Sequence, residues 1–168
     1  MLKHRLRNIV AVAILGMGGV AVAAAGDHYL PTYGGSGGNY FLDSVSHGFM
    51  VGFHGRTGQY NDSVAWIEQD GAEGGLHGGA GGIEYRISCP SGWITHGIYG
   101  HSGGYIDQLG TICIQQSTQS EQYTVAKGGA GGIYFEERCS TGEGAVGLQG
   151  RAAGYVDQLG LVCNVNGR

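Results

Sequence analysis

Two short motifs occur three times in the same order along this chain, and that repetition constrains the fold more than any other feature. The first is a glycine pentapeptide. It reads Gly34-Gly35-Ser36-Gly37-Gly38, then Gly78-Gly79-Ala80-Gly81-Gly82, then Gly128-Gly129-Ala130-Gly131-Gly132. The second motif follows each pentapeptide and ends in aspartate. It runs from Gly55 to Asp62, from Gly100 to Asp107 and from Gly150 to Asp157, with Tyr60, Tyr105 and Tyr155 two residues before the acid. Copies two and three align without a gap from Gly78 and Gly128 to Cys113 and Cys163, and nearly half of their positions are identical. Copy one is more diverged and aligns after a one-residue gap placed near Gly52. The repeat units span about 34–69, 78–115 and 128–165.

The cysteines obey the same register. Cys89 matches Cys139, and Cys113 matches Cys163, whereas copy one holds Val45 and Glu68 at the matching positions. Presence together and absence together mark bonded partners, so Cys89–Cys113 and Cys139–Cys163 are the expected disulfides. Each closes a short loop, worth about 3 kcal/mol if unstrained.

Short runs rich in β-branched and aromatic residues alternate with glycine, which is the pattern of strands and turns. Strands are expected at 39–42, 83–87 and 133–136, at 49–51 and 93–95, and at 106–114 and 156–165. No amphipathic helical window follows the first 25 residues. A unit of about four short strands cannot bury its apolar face alone. Three such units facing one another can, so the expected fold is all-β, with three small sheets around one core. Glycine supplies 36 of the 168 residues, a share that in a random linker would mean disorder. Here the glycines recur at fixed places, with aromatic residues interleaved throughout.

The first residues read as an export leader. Lys3, Arg5 and Arg7 precede an apolar run from Ile9 to Ala25 that closes on small residues. At about 17 residues the run is at the lower limit for a membrane span, and its Ala-rich end fits a cleavage site. Residues 1–25 are therefore expected to be a signal peptide and 26–168 one secreted or periplasmic domain, with no membrane insertion after leader removal. The 13 Asp and Glu outnumber the 9 Lys and Arg, and removal of the leader leaves the remainder still more acidic. Such a domain offers no basic footprint for a phosphate backbone, so nucleic acid is not expected as a partner.

The segment from Tyr33 to Asp43, with its pentapeptide, resembles the opening of jacalin-related lectin domains. The stretches Gly100 to Gly110 and Gly150 to Gly160 resemble a later segment of that family, in which Gly-x-x-x-Asp precedes a strand. The resemblance covers roughly 30–165. It implies a β-prism of three four-stranded Greek-key sheets with pseudo-threefold symmetry. It also implies sugar sites in which a glycine loop of one copy faces the aspartate loop of another. Gly38 would face 153–157, Gly82 would face 58–62 and Gly132 would face 103–107.

The chemistry of those residues agrees. A carboxylate accepts bonds from two neighbouring sugar hydroxyls, and charge-assisted bonds are the stronger kind. Asp62, Asp107 and Asp157 are the expected acceptors. Backbone donors are expected at Gly38, Gly82 and Gly132, and at Gln59 and Tyr60, Gly104 and Tyr105, and Gly154 and Tyr155. The tyrosine rings are placed to lie beside the C–H face of a sugar. Ala153 stands where the other copies have Gly58 and Gly103. A positive φ at that position would make the Asp157 site the poorest of the three. No processing site precedes the first pentapeptide, which within this family points towards mannose or glucose rather than galactose.

The expected function is that of a secreted lectin-like module whose partners are glycans or glycoconjugates, with homo-oligomerisation left open. The alternative is a structural or protein-binding β-prism of an envelope or coat. An enzyme is not expected. A glycosidase needs two carboxylates flanking one cleft, and the Ser102–His101–Asp107 combination is lost in copy three, where Ala152 replaces the serine. The 7 histidines show no metal-ligand spacing, so neither metal nor cofactor is expected.

Overall fold

The computed structural model describes residues 26–168, and the expected leader at 1–25 lies outside the described residues. Every regular element in this range is a strand. The chain opens with β1 (His28–Tyr29), β2 (Tyr33–Gly34), β3 (Asn39–Ser44), β4 (Met50–Thr57) and β5 (Asn61–Glu68). It continues with β6 (His77–Gly78), β7 (Ile83–Ser88), β8 (Ile94–Ser102), β9 (Ile106–Gln115) and β10 (Ser120–Tyr123). It ends with β11 (Lys127–Gly128), β12 (Ile133–Arg138), β13 (Gly144–Ala152) and β14 (Val156–Asn164).

Three sheets result. The first has the order β1-β14-β13-β3, with β2 also on β14. The second runs β6-β5-β4-β7, and the third runs β10-β9-β8-β12, with β11 also on β9. Each sheet therefore has four lanes, and two sheets count five strands because an outer lane is split into two short pieces. The first sheet joins the beginning of the domain to its end.

The sheets enclose a core built in threes. Phe53, Ile98 and Leu148 occupy equivalent places in β4, β8 and β13, and Val64, Leu109 and Leu159 do so in β5, β9 and β14. All six are fully buried. A third layer holds Asn61, Ile106 and Val156, again fully buried. Asn61 breaks the pattern, because its side-chain oxygen has no partner there.

Both disulfides are present, with Cα separations of 5.6 Å for Cys89–Cys113 and 5.7 Å for Cys139–Cys163. Each ties the end of one strand to the residue leaving another. Copy one does this differently. The Glu68 carboxylate is buried and accepts the backbone N–H groups of Ser46 and His47. Val45 N–H bonds the Val146 carbonyl just as Cys89 bonds Val51 and Cys139 bonds His96. Met50 already pairs with Glu68 in the place of Thr95 with Cys113. The one-residue gap therefore lies in the turn at 46–49, earlier than Gly52.

Paired bulges recur in all three sheets. One follows Met50, Thr95 and Ala145, and a second follows Arg56, His101 and Arg151. The second bulge lies inside each aspartate motif and turns the strand just before its loop, since a bulge bends the strand and increases its local twist. The strands beginning at Met50 and Ile94 run on to Thr57 and Ser102, further than the expected 49–51 and 93–95. Only 58–60, 103–105 and 153–155 separate β4 from β5, β8 from β9 and β13 from β14.

Candidate functional site

The three aspartates are positioned by the first residues of β5, β9 and β14. Each carboxylate reaches up against a pentapeptide from another part of the chain. Gly38, Gly82 and Gly132 have φ of 64°, 62° and 75°, a left-handed conformation that glycine alone adopts without strain. A methyl on them would also stand 2.5, 2.5 and 2.7 Å from Oδ2 of Asp157, Asp62 and Asp107. The preceding glycines are as tight. A methyl on Gly37, Gly81 or Gly131 would lie 2.3, 2.2 or 2.5 Å from Oδ1 of the same acids. The structure thus brings Gly38 to Asp157, Gly82 to Asp62 and Gly132 to Asp107, as copies that exchange loops.

The acids are each only 6% exposed. Among the described residues no hydrogen bond or ion pair reaches any of the three carboxylates, and Oδ2 of Asp157 is buried with no partner. Only that oxygen of Asp157 is withdrawn from water without a protein donor, an arrangement that costs stability. Their backbone carbonyls are used instead, accepting from Gly35, Gly79 and Gly129.

The aspartate loops are alike in all three copies. Gly58, Gly103 and Ala153 each donate to the carbonyl two residues ahead, at 2.9, 2.9 and 3.0 Å. None of the three has a positive φ. A methyl at Gly103 would meet nothing nearer than 3.8 Å, so Ala153 fits without strain. The expectation that a positive φ weakens the Asp157 site is overturned.

Each pentapeptide also touches a second aspartate loop through its second glycine. A methyl on Gly35, Gly79 or Gly129 would sit 2.3, 2.3 or 2.4 Å from the carbonyl oxygen of Gly104, Gly154 or Gln59. The six loops therefore alternate around the pseudo-threefold axis and close into a ring. At its centre the tyrosines meet. Ring centroids are 5.1 Å apart for Tyr60–Tyr105, 5.5 Å for Tyr60–Tyr155 and 5.0 Å for Tyr105–Tyr155. These tilted and edge-on pairs are favourable aromatic geometry.

Two arginines brace the ring, and the motif reading passed over them. Arg56 donates from Nε to the Gly81 carbonyl and from Nη2 to the Gly82 carbonyl, both at 2.8 Å. Arg151 does the same to Gly37 and Gly38, again at 2.8 Å. Copy two has His101 in this place. Its Nδ1 lies 3.2 Å from Gln108 Oε1, and its ring packs edge-on against Tyr134. An arginine six residues before the aspartate in two of three copies was the available signal.

A cavity of about 400 Å³ lies elsewhere, lined by His54, Arg56, Glu73, Leu76, Glu84 and Arg86 among others. Its charges pair internally, Arg56 with Glu84 and Arg86 with Glu73, whereas the buried His54 Nε2 and Tyr85 hydroxyl that also line it have no hydrogen-bond partner. Among the described residues no cluster of His, Cys, Asp or Glu is arranged to hold a metal.

No family model and no curated protein matches the sequence. Solved structures do match by shape. Malaysian banana lectin superposes with a TM-score of 0.65 at 20% identity, over 82% of this chain and 98% of that one. Artocarpin, described as a lectin with mannose specificity, gives 0.66 at 17%, over 84% and 99%. A mannose-binding jacalin-related lectin from Ananas comosus gives 0.64 at 21%, over 84% and 99%. The chain has the β-prism fold of the jacalin-related lectins.

Proposed function

We propose that this β-prism is an exported lectin-like module that takes sugar hydroxyls at the three aspartate–glycine junctions. The observation that carries the reading is a carboxylate that is nearly buried, has no protein donor and lies beneath a left-handed glycine, repeated three times. Two vicinal hydroxyls supply the donors that the carboxylate lacks. The backbone N–H groups of Gly38, Gly82 and Gly132, and those of the second and third residues of each aspartate loop, donate in return. Tyr60, Tyr105 and Tyr155 offer ring edges and faces to the C–H side of the sugar. Three shallow sites on one face bind weakly one by one and strongly together.

Mannose or glucose is preferred over galactose. Gly34 is paired through β2 to β14, and the sequence before it offers no evident processing site. The mannose-binding neighbours favour the same choice. Export is supported by the two disulfides, which persist in oxidising compartments.

A glycan array with the mature, oxidised protein tests the reading. Wild type is expected to bind mannose- or glucose-terminated glycans, and a variant with Asp62→Ala, Asp107→Ala and Asp157→Ala to bind none. Silence of the wild type on every glycan would turn the assignment to a structural β-prism. Binding that survives the triple substitution would move the sites elsewhere.

A further inference from the structure

We infer that Arg56 and Arg151 are positioning residues for two of the three sugar sites, and that His101 leaves the Gly132 site unbraced and weaker. The inference rests on the lectin reading for its ligand but on bond geometry for its mechanism.

A peptide unit is planar, so its carbonyl and its N–H point in opposite directions and turn together. The Gly37 carbonyl shares its peptide plane with the Gly38 N–H, and the Gly81 carbonyl shares its plane with the Gly82 N–H. Arg151 and Arg56 grip those two carbonyls through Nε. Nη2 grips the next carbonyl along, so two consecutive peptide planes are fixed by one rigid fork. The N–H that would meet a sugar hydroxyl is thereby aimed before any ligand arrives. Glycine is the residue type that most needs such help, because its backbone has the most freedom to lose.

The Gly132 loop has no such brace. Among the described residues no side chain donates to the Gly131 or Gly132 carbonyl. His101 is turned to Gln108 and Tyr134 and is too short to fork over two carbonyls. The carboxylate, the left-handed glycine and the tyrosine are otherwise the same in all three copies. One module therefore carries two ordered sites and one loose one.

Nuclear magnetic resonance of the ¹⁵N-labelled full domain tests this site by site. Without sugar, the amides of Gly38 and Gly82 are expected to have higher order parameters than that of Gly132. Arg151→Gln should loosen Gly38 alone, Arg56→Gln should loosen Gly82 alone, and His101→Arg should tighten Gly132. On titration with methyl α-D-mannoside, Gly132 should saturate at a concentration about fivefold higher than the other two, the worth of one net hydrogen bond. His101→Arg should close that difference, a gain that a merely structural role would not produce. Equal order parameters at the three glycines, or a Gly132 site unmoved by His101→Arg, would overturn the inference. Graded order parameters with no amide responding to mannoside, glucoside or galactoside would uphold the brace and sink the lectin reading instead.

Discussion

Asp62, Asp107 and Asp157 are held where water cannot reach them fully and no protein donor replaces it. At Asp157, where Oδ2 is buried without a partner, the unmet acceptor costs stability at the place where a ligand would satisfy it. Asp157→Asn should remove sugar binding at its own site while leaving the melting temperature unchanged or raised. Calorimetry on the free protein, with glycan titration alongside, reads both effects, and a large drop in stability would show the carboxylate to be structural. Asn61 is a second buried polar group. It stands in a core layer whose other members are Ile106 and Val156, and its amide oxygen is unpartnered. Asn61→Val should stabilise the domain by about 1 kcal/mol in urea unfolding, since an unsatisfied buried acceptor costs that much or more. A loss would mean that the Asn61 amide, 3.4 Å from the Lys127 carbonyl, is worth more than its geometry suggests.

The copies show how one junction can be closed by two chemistries. Copies two and three join the turn to the strand end by a disulfide, and copy one joins them by Glu68 accepting from Ser46 and His47. The pair Val45→Cys with Glu68→Cys should therefore form a third bridge in oxidised protein and raise the melting temperature. The bridge is worth about 3 kcal/mol before the lost carboxylate bonds are subtracted. Free thiols in the folded oxidised variant would refute the equivalence. A second link joins the first sheet to the turn before β13. Burial alone would push the Glu143 carboxyl up, but hydrogen bonds from His28 and from the Ser140 N–H outweigh it and hold it below the usual range. A depressed carboxyl stabilises the fold above its unfolded pKa of about 4.3 and ceases to do so as pH falls through the lower folded value. Glu143→Gln should thus lower stability at pH 6 and make it less dependent on pH between 4 and 3, as urea unfolding at each pH would show.

Much at this level was legible beforehand. The disulfide pairing followed from two cysteines vanishing together in copy one, and the loop exchange was implied by the family resemblance of the two motifs. The two-residue strands β1, β2, β6 and β11 carried no periodic signal, because two residues cannot show one. Strand β5 opens on polar Asn61, Asp62 and Ser63 before its apolar run at 64–67, and β13 is broken by glycine at 144, 147 and 150. The arginine braces were hidden for another reason. Arg56 acts on carbonyls 25 and 26 residues away in the next copy, so its recurrence as Arg151 marks the position but not the contact.

Across the described residues, the ring of six loops and the seam where Arg168 meets Asp27 and Gly48 lie at opposite poles. The aspartate loops follow Thr57, at the far end of β4. Gly48, just before the near end of β4, exchanges backbone bonds with Arg168, which also pairs with Asp27. An eight-residue strand such as β4 spans roughly 26 Å, so the two poles are well separated. A carrier protein fused after Arg168 should leave glycan binding unchanged, whereas a bulky label on a cysteine at Gln59 should abolish it. Surface plasmon resonance with both species would show the contrast, and equal binding would mean that the ring is not the contact face. The seam thus works as a handle. Anything that holds the module there points all three aspartate–glycine junctions outward together, so that, on the proposed reading, a single attachment would present every site at once.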